Sequence, residues 1–113
     1  MLHILKMISA VLTVATGVLA AVRPSAVPSF TGLKPTGPRG VTEIRSIFGG
    51  LFIGVGAYPL LVDATATYRM LGAMYLVIAG ARLVSMLVDR SLTERSNLLS
   101  LGVEIVLGAF LIL

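Results

Sequence analysis

Hydrophobic residues occur in four long runs along the chain, and polar residues are concentrated between these runs. Each run is close to the length of about 20 residues that an α-helix needs to cross a hydrocarbon core of about 30 Å. None shows the strict alternation of a barrel strand, so helices are the predicted spanning form. The pattern predicts an all-α fold, an integral membrane up-and-down four-helix bundle. We expect one domain over residues 1–113, with helices at about 4–22, 41–61, 65–88 and 92–113 and a long loop at 23–40.

The composition agrees with a membrane environment. Of the 113 residues, 57% are hydrophobic and 12% are charged, and the mean hydropathy is +1.00. Soluble domains are instead about half apolar and about a quarter charged. The absence of cysteine excludes disulfides, thiol catalysis and thiolate metal sites. The net charge of +4 comes from scattered basic residues without an aromatic platform, which argues against a nucleic-acid partner.

The first hydrophobic run has two interpretations. Lys6, the apolar centre that follows it and the small-residue ending GVLAAV are typical of a secretory signal peptide. However, Ser9, Thr13 and Gly17 repeat every fourth residue, which places small side chains on one face of a helix. Such a face suits packing against another helix, so we favour a helix that is retained.

Turn and capping residues predict where the helices begin. Four prolines and three glycines within residues 23–40 predict an extended or turning loop without regular helix. Thr42 is the expected N-cap of the second helix, and Asp63 that of the third. Ser91 and Glu94 have the spacing of a capping box, which predicts that the fourth helix begins in water.

Basic residues near the helix ends predict the orientation in the membrane. Lys6 and Arg69 lie on one side, whereas five basic residues lie on the side of loops one and three: Arg23, Lys34, Arg39, Arg90 and Arg95. Because basic residues are enriched in cytoplasmic loops, loops one and three are predicted to be cytoplasmic. Both termini would then lie outside.

Four charged residues, Glu43, Arg45, Arg82 and Glu104, lie within the apolar runs or at their edges. At a rise of 1.5 Å per residue, Arg82 and Glu104 each lie roughly 10 Å below the same membrane face, from which Glu43 and Arg45 also enter. An unpaired charge at mid-helix costs about 2.5 to 3.5 kcal/mol on insertion scales. We therefore predict a buried polar network with Arg82 paired to Glu104.

Helical spacing places polar and small residues on shared faces. One face of the second helix carries Glu43, Ser46, Gly50 and Gly54, and one face of the fourth helix carries Asn97, Ser100, Glu104 and Gly108. The GxxxG spacing allows close approach of two backbones. We predict helix packing at Gly49, Gly50 and Gly54.

Three segments, RGVTEIRSIFGGLFIG, AGARLVS and VEIVLG, resemble a bacterial domain-of-unknown-function family of small four-helix integral membrane proteins. The family pattern is similar to N-G-x-x-E-x-R-x-x-Y-G-G, then G-R-x-x-S, then E-x-x-x-G. The resemblance implies that the recurring polar positions are Glu43, Arg45, Arg82, Ser85 and Glu104. The chain departs from the pattern at Arg39, Phe48 and Ala81, where the family often has Asn, Tyr and Gly.

That resemblance implies a multi-pass protein of the bacterial inner (plasma) membrane. The family is also distantly similar to the DoxX and DoxD group, some of which accompany quinone-linked oxidoreductases. Because the family has no agreed activity, the resemblance implies a fold and a site more than a reaction. It places the expected ligand site or polar network at Glu43, Arg45, Arg82, Ser85 and Glu104.

The residues do not form a recognisable catalytic arrangement or phosphate loop, and His3 is the single histidine, so we predict no catalytic or metal site. A non-catalytic bundle or accessory subunit of a larger membrane complex is favoured over an enzyme. One alternative is a small proton-coupled transporter that uses Glu104. Another is a lipid- or quinone-binding protein with a pocket lined by Arg82, Glu104 and Tyr75. The expected partners are the lipid bilayer, further copies of the chain or other membrane subunits, and the cofactor is left open.

Overall fold

The computed structural model describes the backbone of residues 1–113 and every side chain except that of Phe30. The described backbone is helical and has no strand, so the all-α prediction is confirmed. The main helices are α1 (Leu2–Val22), α3 (Gly37–Leu61), α4 (Thr65–Val88) and α5 (Arg95–Ile112). A 3-10 turn at Pro24–Ala26 and the short helix α2 (Val27–Thr31) lie between α1 and α3.

The four main helices are long and apolar enough to cross a membrane. Their most apolar windows have mean hydropathies between 1.5 and 2.0, and only 17% to 33% of the residues in each window are buried. Most apolar side chains therefore face outward. This arrangement is consistent with a multi-pass membrane protein, because lipid can cover apolar faces that water would not.

The chain divides into two compact units, Met1–Asp63 and Ala64–Leu113. In the first unit, α1 packs along α3. A Cβ added to Gly17 would lie 2.7 Å from the carbonyl oxygen of Gly49, and one added to Gly49 would lie 2.8 Å from the Cβ of Ala21. The two backbones are thus in direct contact. The small-residue face predicted for the first helix is buried, as Ser9, Thr13 and Gly17 show.

Of the packing glycines predicted for the second helix, Gly49 contacts α1, and packing at Gly50 and Gly54 stays a prediction. Gly49 and Gly56 approach α1 closely, but a Cβ added to Gly50 or Gly54 would meet no described heavy atom within 4 Å. A π-helical segment at Ile44–Leu51 lies within α3. Its i→i+5 hydrogen bonds change the helical period on which the four-residue spacing depends.

In the second unit, α4 packs along α5. A Cβ on Gly72 would lie 2.8 Å from the Cβ of Leu111 and 3.0 Å from the carbonyl oxygen of Gly108. A Cβ on Gly108 would lie 2.7 Å from side-chain atoms of Leu76. These two glycines allow the helices to approach closely, and the approach brings polar residues of α4 and α5 within hydrogen-bonding distance.

The segment 23–40 is more helical than its composition predicts. Helix α2 is followed by Gly32, which has the left-handed φ of 73° typical of helix ends. Helix α3 begins at Gly37 rather than near residue 41, and its N-cap is Thr36 instead of Thr42. Each of these two helices has a proline in its first turn, where proline's missing N–H is not needed.

Two further caps differ from the prediction. Ala64 is the N-cap of α4, and the carboxylate of Asp63 instead lies 3.2 Å from Nε2 of His3. Glu94 is the N-cap of α5, and no described side chain donates or accepts a capping bond there. The Ser91 to Glu94 spacing instead closes a turn, in which the Glu94 N–H donates to the Ser91 carbonyl over 3.2 Å.

Candidate functional site

The polar centre of the second unit is an ion pair between α4 and α5. Nε of Arg82 donates to Oε1 of Glu104 over 2.8 Å, and Nη2 donates to Oε2 over 2.8 Å. This two-point geometry is the strongest form of an arginine–carboxylate contact, because both bonds are charge-assisted and the two planar groups match. The predicted pairing of Arg82 with Glu104 is present.

Asn97 extends the ion pair toward the beginning of α5. Its Oδ1 accepts a hydrogen bond from Nη1 of Arg82 over 3.3 Å. The guanidinium of Arg82 therefore contacts two residues of α5 that lie seven positions apart, which is close to two helical turns. These contacts fix both the spacing and the rotation of α4 relative to α5.

The two charged side chains differ in their exposure. The side chain of Glu104 is 11% exposed, and that of Arg82 is 30% exposed. Both carboxylate oxygens of Glu104 are occupied by Arg82. Glu104 is thus the buried member of the pair and Arg82 the more accessible one.

Ser85 lies one turn after Arg82 on α4 but does not join the ion pair by a hydrogen bond among the described residues. Its hydroxyl donates to Oδ2 of Asp89 over 2.9 Å. Ser85 and Arg82 nevertheless line the same cavity of about 360 Å³, together with Ile78, Ala81, Met86 and Asn97. Tyr75 and Glu104, which sequence analysis placed in a pocket with Arg82, are buried and lie outside this lining.

Glu43 and Arg45 belong to the first unit and are exposed there. They flank the first residue of the π-helical segment, Ile44, which is buried against Ala20 and Val27. Among the described residues of Met1–Asp63, neither forms an ion pair. A network that joins these two charges to Arg82, Ser85 and Glu104 stays a prediction.

A second cavity, of about 290 Å³, lies beside Glu43 in the first unit. Residues of the loop before α3 and of its first turns line it: Leu33, Lys34, Pro35, Thr36, Gly40, Glu43, Ile44, Ile47 and Phe48. Phe48 also packs near Phe52, with ring centroids 6.0 Å apart. The segment around Glu43 thus contains both a π-helix and a pocket, two features that the hydrophobic pattern does not reveal.

Asn97 is the polar contact that sequence analysis left out of the site. It was placed on the same helix face as Glu104, and this spacing is the signal that could have identified it. The described residues contain no group of three or more histidine, cysteine, aspartate or glutamate side chains that could hold a metal ion. The geometry therefore combines a neutralised ion pair with an adjacent, partly apolar cavity.

Comparison with known proteins identifies a family but no activity. No curated protein matches the chain, and no solved structure matches it. One family model does match, and it covers residues 1–113, which includes the ion pair, both cavities and the π-helical segment. Because the match extends over the whole sequence, the chain belongs to the family described as "Domain of unknown function (DUF4345)".

Proposed function

We propose that this protein is a non-catalytic, multi-pass membrane protein that serves as an accessory subunit of a larger membrane complex. The observation that supports the architectural, non-catalytic part of this proposal is the pair of hydrogen bonds from Arg82 to Glu104 between two apolar helices. A charge that is unpaired in lipid is costly, whereas an ion pair with both partners bonded has no net charge. The pair therefore sets how α4 and α5 align.

The same geometry favours an architectural role for Glu104 over proton transport. Both of its oxygens accept hydrogen bonds from Arg82. A proton carrier at this position has to break these charge-assisted bonds each time it takes up a proton. A structural residue keeps them.

Apolar exposure supports insertion into a bilayer. Large hydrophobic side chains are exposed along all four main helices, as Val77 (71%) and Val106 (66%) illustrate. We propose a bacterial inner membrane, with loops one and three in the cytoplasm and both termini outside, because the basic residues are concentrated in those loops. The distant likeness to the DoxX and DoxD group is part of the same proposal.

Cysteine labelling tests the insertion and the orientation, since the natural chain has no cysteine. Single-cysteine variants Ser25→Cys and Thr93→Cys report loops one and three, and Ala64→Cys reports the loop between α3 and α4. In intact cells, an impermeant maleimide should label only Ala64→Cys, and permeabilisation should expose the other two. Val77→Cys, in the exposed middle of α4, should react slowly in both cases. Fast labelling of Val77→Cys in membranes contradicts the insertion.

Gentle solubilisation of native membranes tests the accessory role. The tagged protein should co-purify with a defined membrane partner, or with further copies of itself, at a fixed stoichiometry. A monomer without partners, purified from membranes that contain the protein at its natural level, contradicts the subunit assignment. This result leaves the labelling outcome, and with it the membrane location, untouched.

A further inference from the structure

The cavity beside Arg82 has a polar end and apolar walls. Its volume is about 360 Å³, and its polar lining residues are Arg82, Ser85 and Asn97. Its apolar lining residues are Ile78, Ala81 and Met86, of which Met86 is only 1% exposed. A site of this kind suits a molecule that has a polar group attached to an apolar body.

The polar end of the cavity offers hydrogen-bond donors. Arg82 uses one N–H on each of its three nitrogens for Glu104 and Asn97. Each terminal nitrogen of a guanidinium carries a further N–H, which no described residue accepts here. Asn97 uses its Oδ1 toward Arg82, so its amide N–H groups are also available as donors. A ligand for this end must therefore present acceptor atoms.

The charges around the cavity favour a neutral acceptor over an anion. The positive charge of Arg82 is already balanced by Glu104. The hydroxyl of Ser85 is directed to the carboxylate of Asp89, which adds a negative charge nearby. A phosphate or carboxylate would meet these two acids, whereas a carbonyl oxygen accepts from the donors without that repulsion.

One end of the cavity lies at the membrane interface, where lipids carry their ester carbonyl groups. Helix α4 has 24 residues, so it is about 36 Å long and extends about 3 Å beyond each side of a hydrocarbon core of about 30 Å when centred on it. Arg82 precedes the last residue, Val88, by six positions, or about 9 Å. Arg82 then lies about 6 Å inside the hydrocarbon, and the lining extends from Met86 at the interface to Ile78, which lies about 12 Å inside.

We propose that this cavity binds the carbonyl group of a neutral membrane amphiphile, with Arg82 and Asn97 as donors and Ile78, Ala81 and Met86 against the apolar part. This inference rests on the proposed membrane insertion. The carbonyl can come from the ester linkage of a glycerolipid or from a quinone. The ion pair with Glu104 then has a second role, because it holds the guanidinium in place for the ligand.

Lipid binding measured by native mass spectrometry tests the proposal on the full-length protein in detergent. After delipidation, the protein is titrated with three probes: a diester phosphatidylcholine, its diether analogue without carbonyl groups, and a benzoquinone with a decyl tail. Ala81→Phe fills the cavity without removing a donor. Ala73→Phe is the matched control, because Ala73 is an exposed alanine of α4 that lies outside the lining.

The wild-type chain should bind the diester lipid or the quinone at least about tenfold more tightly than the diether lipid, as expected for hydrogen bonds from a charged donor. Ala81→Phe should abolish this preference, and Ala73→Phe should keep it. Preference for the diester identifies a lipid as the source, and preference for the quinone identifies a quinone. Equal binding of all three probes, or equal loss in both variants, overturns the proposal.

Thermal unfolding of each variant shows whether it is folded. Should Ala81→Phe fail to fold, Ser85→Val adds apolar bulk at the same cavity and is read in the same way. The cysteine labelling described above reports insertion separately. A chain that is inserted but shows no carbonyl preference refutes the ligand site alone.

Discussion

Removal of the Arg82–Glu104 ion pair, one partner at a time and then together, is the most direct test of its architectural role. Arg82→Met leaves the carboxylate of Glu104 buried and without its partner, because the Glu104 side chain is only 11% exposed. Loss of one member of a buried pair costs about 3 to 5 kcal/mol. Because solvent has partial access to the site, we expect Arg82→Met to lower the free energy of unfolding by about 3 kcal/mol, the low end of this range.

Glu104→Met should cost less. The side chain of Arg82 is 30% exposed and keeps its hydrogen bond to Asn97, so the remaining charge is partly solvated and partly bonded. We expect a loss of about 1.5 kcal/mol. In the double variant no charge is left, and two methionines fill a similar volume, so the loss should be about 1 kcal/mol.

These values predict a coupling energy of about 3.5 kcal/mol between the two positions. The assay is reversible unfolding in mixed micelles, with helicity followed as denaturing detergent is added. Arg95→Met is the control for loss of a positive charge, because Arg95 is exposed at the start of α5, and it should change stability by less than about 0.5 kcal/mol. Additive losses, in which the double variant is the least stable, refute the architectural role.

Three further predictions concern contacts seen in the fold. Gly49→Ala should destabilise the protein by about 1 to 3 kcal/mol, because the new Cβ would meet Ala21 at 2.8 Å, whereas Gly50→Ala should be neutral or stabilising by up to about 1 kcal/mol. Thermal unfolding of this adjacent pair in detergent checks the direction, and equal effects contradict the packing. Gly72→Ala should likewise destabilise the second unit, because its Cβ would lie 2.9 Å and 3.0 Å from backbone atoms of α5. Gly80→Ala is the control in the same measurement, because its Cβ would meet no described heavy atom within 4 Å. Asp63→Asn should change the free energy of unfolding by less than about 1 kcal/mol, since the contact between Asp63 and His3 is exposed, and a larger loss in the same assay speaks against this view.

The hydrophobic pattern predicts the four main helices because each run is long enough to define one helix by itself. The pairing of Arg82 with Glu104 also follows from the sequence. Two opposite charges at similar heights in adjacent apolar helices have few alternatives to meeting each other. Because an unpaired charge in an apolar helix costs so much free energy, the sequence alone is enough to predict this pairing.

Other features depend on local energies that the sequence pattern does not resolve. The start of α3 illustrates this. Thr42, at the beginning of the apolar run, is a suitable N-cap residue, but Pro38 lies in a first turn that begins earlier in the chain. The π-helix at Ile44–Leu51 is a similar case, since a change of hydrogen-bond register has no distinct hydrophobic period. The sequence pattern thus predicts packing at Gly49, Gly50 and Gly54, whereas the glycines of α3 that approach α1 closely are Gly49 and Gly56.

Because the chain divides into two compact units between Asp63 and Ala64, it can be produced as two separate fragments. Every glycine contact described above, the Arg82–Glu104 ion pair and the His3–Asp63 contact join residues on the same side of this point. If residues 1–63 and 64–113 are synthesised as two fragments, each fragment contains both partners of its own contacts. Each half therefore keeps the contacts that hold its own helices together, which suits it to independent insertion.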